Sequence, residues 1–134
     1  MSSIVNIILK QNNVYVIKFL RIPKTDKEMT EYLNKLDTLY LPKKPFFCIY
    51  DTTNITETVP WEYISQQATF MKAHKELTRR YMVMAVIICT SPIIRFTINA
   101  IFLMIPPSTE VEVVGNMALA MRYINVRKRR IKKK

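Results

Sequence analysis

The chain has 134 residues, 49 % of them hydrophobic and 23 % charged, and a formal charge of +11. That is the length of one domain with one core, and a composition unlike that of a disordered chain. A single glycine, Gly115, excludes Walker and dinucleotide-fingerprint loops, which need several glycines for close backbone approach to phosphate.

In chain order, Ser3 to Leu9 and Val14 to Leu20 are β-rich runs separated by Lys10-Gln11-Asn12-Asn13, whose asparagines tolerate a left-handed turn; they predict an antiparallel hairpin. Thr25 followed by Glu28 is a capping box, and Met29, Tyr32, Leu33, Leu36 and Tyr40 recur at helical spacing, which predicts a helix over about 26–39. Pro45 then releases a buried strand, Phe46 to Tyr50. Beyond Asp51 a polar connection holds Thr56 and Thr58, hydroxyls able to cap the next helix. Trp61, Ile64, Ala68, Met71 and Leu77 set the apolar face of that helix, over about 60–77, with Lys72, Lys75, Arg79 and Arg80 on its exposed flank.

Residues 81–107 are hydrophobic enough to be either a core segment or a membrane span. Ser91-Pro92 cuts the stretch, and centring Arg95 in lipid would cost about 2.5 to 3.5 kcal/mol. Reading it as a buried strand, Met82 to Cys89, then a helix capped by Ser91 with Pro92 first, gives every residue a role. No transmembrane span is expected. Pro106-Pro107 stops that helix, Val111 to Val114 form a short strand, and Gly115-Asn116 turns into a last helix from Met117 to about Asn125. The order ββαβαβαβα is that of an α/β domain with a mixed sheet of about five strands covered by about four helices.

This layout resembles the STAS domain superfamily, the fold of bacterial anti-sigma-factor antagonists, and most closely the SpoIIAA-like (STAS-like) family. The likeness is carried by Ile49-Tyr50-Asp51-Thr52-Thr53-Asn54, by Arg79-Arg80-Tyr81 ahead of the apolar strand, by the helix from Pro92 to Phe102 with Arg95 near its start, by Pro106-Pro107, and by the run from Val111 to Ile124. It covers most of residues 1–125 and implies a STAS-like domain there, with 126–134 as a basic tail. Antagonists of this family resemble one another in an Asp-Ser-Ser-Gly helix start whose serine is a phosphorylation switch. The matching region here, Thr56-Glu57-Thr58-Val59-Pro60-Trp61, has neither serine nor glycine, so the switch does not carry over.

No catalytic constellation, metal cluster or cofactor motif emerges. His74, the one histidine, is expected on a solvated basic flank. Cys48 and Cys89 lie within apolar runs and read as buried free thiols of a reducing compartment. With no secretory signal at the N-terminus, the expected location is intracellular, cytoplasmic or nuclear. Asp51 and Thr52, at the carboxyl end of a central strand, stand where open α/β sheets place ligands. With Thr56 and Thr58 they form a candidate ligand or switch loop, although turn formation and capping account for the same residues.

Three binding functions remain. The first is a protein-interaction or assembly module: the helix from Pro92 turns Ile94, Ile98, Ile101 and Ile105 to the sheet and leaves Phe96, Phe102 and Leu103 beside Arg95 and Asn99, a face for a partner or self-association. The second is sequence-independent binding of nucleic acid or anionic lipid. Residues 126–134 hold seven of the 21 basic residues and no acid: Arg127, Lys128, Arg129, Arg130, Lys132, Lys133 and Lys134, with Arg122 one turn earlier. The third is an apolar-ligand pocket, implied by the architectural likeness of STAS-like domains to lipid-transfer domains; eight methionines and many aromatics would line it or simply fill the core. Heavy use of isoleucine, lysine and asparagine fits an AT-rich genome, and a small basic-tailed domain suits a component of a larger assembly or viral particle.

Overall fold

A computed structural model describes residues 3–132. Its elements are β1 (Val5–Gln11), β2 (Val14–Phe19), α1 (Asp26–Thr38), β3 (Phe46–Asp51), α2 (Trp61–Ala73), α3 (Lys75–Tyr81), β4 (Met82–Ile88), α4 (Pro92–Met104), β5 (Glu110–Val114) and α5 (Met117–Lys132). The five strands form one sheet in the order β1-β2-β3-β4-β5, antiparallel between β1 and β2 and parallel thereafter. The chain is an α/β protein with the expected mixed sheet and element order, apart from one additional helix.

The hairpin turns at Asn12-Asn13 with Asn13 at a φ of 56°, the left-handed conformation that asparagine tolerates. Because each strand from β2 to β5 lies beside the one before it, right-handed crossovers put α1, α2 with α3, and α4 on the same face of the sheet. That face buries Ile17, Cys48 and Ala85 beneath α1 and α2, and Ile87 beneath Ile94 and Ile98 of α4. The opposite face presents Val16, Phe47, Ile49, Val86 and Ile88, and α5 alone covers it through Ala120 and Ile124, both without exposed surface. β4 is therefore buried on both faces, as its unbroken apolar run predicts.

Three expectations need correction. The helix expected over about 60–77 is broken at His74, whose ψ of 13° ends α2 and separates it from α3. Trp61 does not join its buried face but is 63 % exposed, because Tyr63, Ile64 and Ala68 set the phase and leave the first turn at the rim. Finally, α5 does not stop near Asn125 but runs to Lys132, so Arg127 to Arg130 lie in its last third. Arginine and lysine are good helix formers, and cations near a helix C-terminus complement its dipole.

Helix starts follow the sequence unevenly. Thr25 Oγ1 accepts the Glu28 N–H of α1 at 3.2 Å, as a capping box requires, and Glu28 reaches back to the Lys24 N–H at 2.7 Å. Asn116 caps α5, its Oδ1 accepting the Leu119 N–H at 2.9 Å. Ser91 occupies the cap position of α4 with Pro92 next, but its side chain makes no capping bond.

Two outcomes follow for stability. Ile124→Ala, which empties a site on the face that α5 alone covers, should cost about 2 to 5 kcal/mol in chemical denaturation. The Arg21 guanidinium, paired with Glu28 and donating to Oε1 at 2.9 Å, holds the Glu28 carboxyl down at about 2, against an ordinary 4.5. A depressed carboxyl contributes stability in full above its unfolded value and loses it as pH falls through its folded value. Glu28→Gln should accordingly flatten the fall in melting temperature between about pH 4.5 and 2, and leave the profile near pH 7 without a new slope.

Candidate functional site

The residues proposed for an interaction helix divide between surface and core. On α4, Ile94, Thr97 and Ile98 are buried, so the residues half a turn away point outward. Phe96 is 74 % exposed and Leu103 87 %, seven residues apart and thus on one line of the helix, with Arg95 and Asn99 exposed beside them and Ile93 and Met104 on its flank. Phe102 does not belong to this line. It is half-buried against the cluster of Ile55, Ile87, Ile94 and Ile98, because it falls on the side of α4 that the sheet and the 51–60 loop cover.

The basic residues also separate. Arg127 pairs with Glu110 on β5 at 3.4 Å, and Lys128 reaches Gln11 Oε1 and the Asn12 carbonyl at 3.4 Å while standing 5.7 Å from the Phe47 ring centre. These two cations fasten the end of α5 across the sheet. Arg122, Arg129 and Arg130 stay exposed, and the exposed Leu119 and Tyr123 accompany them. The helix closes at Lys132; Lys133 and Lys134 lie outside the described residues.

In the loop after β3, Asp51 Oδ1 accepts the Thr53 N–H at 3.1 Å and the Thr53 hydroxyl at 2.8 Å, the turn-forming use of an aspartate. Thr52 Oγ1 donates to the Ile88 carbonyl at 2.7 Å and ties the loop to the end of β4. Thr56 and Thr58 are exposed, and neither caps α2. Pro60 takes the cap position, and burial of Ile55 anchors the loop upstream of both threonines.

His74 is not on a solvated flank. Its ring stacks on Phe70 with centres 3.8 Å apart, Nδ1 lies 2.9 Å from the Phe70 carbonyl, and Nε2 lies 2.7 Å from Asp37 Oδ1 on α1. The residue that breaks the helix also bolts it to α1. Burial pushes the Cys48 thiol up to about 12, so it stays protonated and packs as a small hydrophobe. Among the described residues no three of His, Cys, Asp or Glu gather as metal ligands would, and no helix is long and apolar enough to cross a membrane.

Beneath α2 the layer is not filled. α2 rides on α4 and α1 more than on the sheet, and leaves a cavity of about 210 Å³ bounded by Ile4, Met29, Ile64, Ala85, Ile87 and Ile98. The lining includes two residues that sequence reasoning passed over, Tyr63 and Gln67. Gln67 sits between Ile64 and Met71 at helical spacing, and a polar residue in the middle of an apolar face is the signal that could have marked it.

No family model matches the chain, and no curated protein matches it.

His74→Ala should remove both ring hydrogen bonds and the stack on Phe70 together. Melting temperature should fall by an amount equivalent to about 1 to 3 kcal/mol, and hydrogen exchange should quicken first in 70–81, where α2 meets α3.

Proposed function

We propose that the chain is a STAS-like domain that acts as a non-catalytic interaction module, docking a protein partner or a second copy through the outer line of α4. The observation that carries this reading is the pair Phe96 and Leu103, 74 % and 87 % exposed on a helix whose one charged side chain is Arg95. Two large apolar side chains turned to water on one helix line are the kind of anchor that a partner's pocket desolvates. The hairpin start and the alternation of helices with a mixed sheet support the STAS-like assignment.

The test separates surface from core. Phe96→Glu combined with Leu103→Glu should shift the melting temperature by no more than a few degrees, because neither side chain packs in the fold, yet abolish association measured by light scattering or partner capture. Phe102→Glu should instead cost more than about 2 kcal/mol of stability, since it forces a charge against the Ile94–Ile98 cluster. If the double variant associates as wild type does, the α4 reading fails.

Polyanion binding through α5 is a second reading, favoured by the exposed Arg122, Arg129 and Arg130. With Arg127 and Lys128 held by partners, these three arginines together with Lys132, Lys133 and Lys134 would give a slope of log affinity against log salt of about −3 to −5 on duplex DNA, at roughly 0.9 per phosphate. Filter binding across 50 to 200 mM salt reads that slope, roughly, with random-sequence duplexes serving as well as any defined one. Deleting 126–134 should leave a slope near −1, approximately the share of Arg122 alone.

A further inference from the structure

The cavity under α2 has an apolar lining whose polar groups are already largely satisfied. Four tyrosines line it, and two of their hydroxyls have close internal partners: Tyr32 donates to Gln67 Oε1 at 2.7 Å, and Tyr40 shares a bond with Thr78 at 2.8 Å. The threonine hydroxyls behave alike, with Thr97 donating to the Ile93 carbonyl and Thr109 to that of Met82. Arg21 and His74 are the basic residues of the lining, and each already faces a carboxylate, Glu28 and Asp37 respectively. No aspartate or glutamate lines the space.

The charge balance disfavours an ionic ligand, because an anion would find both basic side chains already facing carboxylates and a cation would find no acid. What remains for recognition is apolar area and a few uncharged side-chain donors, among them the amide NH2 of Gln67 and the hydroxyl of Ser108. Size narrows the class further. An apolar cavity of about 150 Å³ stays dry and takes up benzene. The present one, at about 210 Å³, has room for a few more heavy atoms.

We infer that this cavity is a binding site for one small neutral apolar molecule, an aromatic or short hydrocarbon slightly larger than benzene, carrying at most one carbonyl or ether acceptor that the Gln67 amide engages. Binding would fill the space that α2 spans between α1 and α4, and so stiffen α2 against the sheet.

Three probes distinguish the possibilities: acetophenone as a neutral aromatic ketone, toluene as its purely apolar counterpart, and benzoate as an anion of similar shape. In amide NMR titrations of the full chain, acetophenone should give saturable shifts around Ala85, Ile87, Ile98 and residues 64–71, and raise the melting temperature. Toluene should bind several-fold more weakly, and benzoate should leave both readouts unchanged. Ala85→Leu, which fills the space from β4, should abolish the acetophenone shifts. Should that variant fail to fold, Gln67→Leu serves instead, and it should bind toluene at least as well as acetophenone. The proposal is overturned if neither neutral probe saturates, if benzoate binds as tightly as acetophenone, if folded Ala85→Leu keeps wild-type affinity, or if Gln67→Leu still prefers the ketone.

Discussion

The structure depends on a constraint of handedness. Once β2, β3, β4 and β5 lie side by side in sequence order, every crossover between parallel strands must turn the same way, and all the crossover helices are committed to one face. The other face must be covered by a segment that is not one of these crossovers. That segment is α5, which is why a helix whose end is crowded with like charges is nonetheless tied down by Ala120, Ile124, Arg127 and Lys128. A single helix thus shields Phe47, Ile49, Val86 and Ile88 from water.

Crowding on the first face shapes the candidate sites. Three crossovers there share the sheet with the short helix α3, and the middle one rests on α4 and α1 more than on the sheet. The break at His74 relieves the conflict by letting α3 lead directly into β4 while α2 remains supported by α1 and α4. The space left under α2 and the bolt from His74 to Asp37 have the same origin. At the flank of this layer, α4 has too many apolar residues for one buried side, so Phe96 and Leu103 meet water.

The edges of the sheet are protected by ordinary means. β5 is short and carries Glu110 and Glu112, and the pairing of β1 is interrupted near Gln11 by a shift in register, both of which discourage strand addition.

The sequence by itself determined the elements whose signals are local. Alternating runs around two asparagines specify the hairpin, Thr25 and Glu28 start α1, and Pro92 with Arg95 divides the long apolar stretch into β4 and α4; each rests on backbone preferences that act over a few residues. Only the tertiary structure decided what distant contacts control. The apparent helix over 60–77 breaks where His74 finds Asp37, 37 residues away. Arg127 to Arg130 stay helical, and Arg127 and Lys128 are taken up by partners on β5 and the hairpin. Phe102 turns inward while Phe96 and Leu103 turn outward, because helical spacing marks an apolar face but not how wide a face the neighbours will cover. The cavity was illegible for the same reason: its volume is the difference between where α2 rests on α1 and α4 and where the sheet lies, a distance that no periodicity encodes.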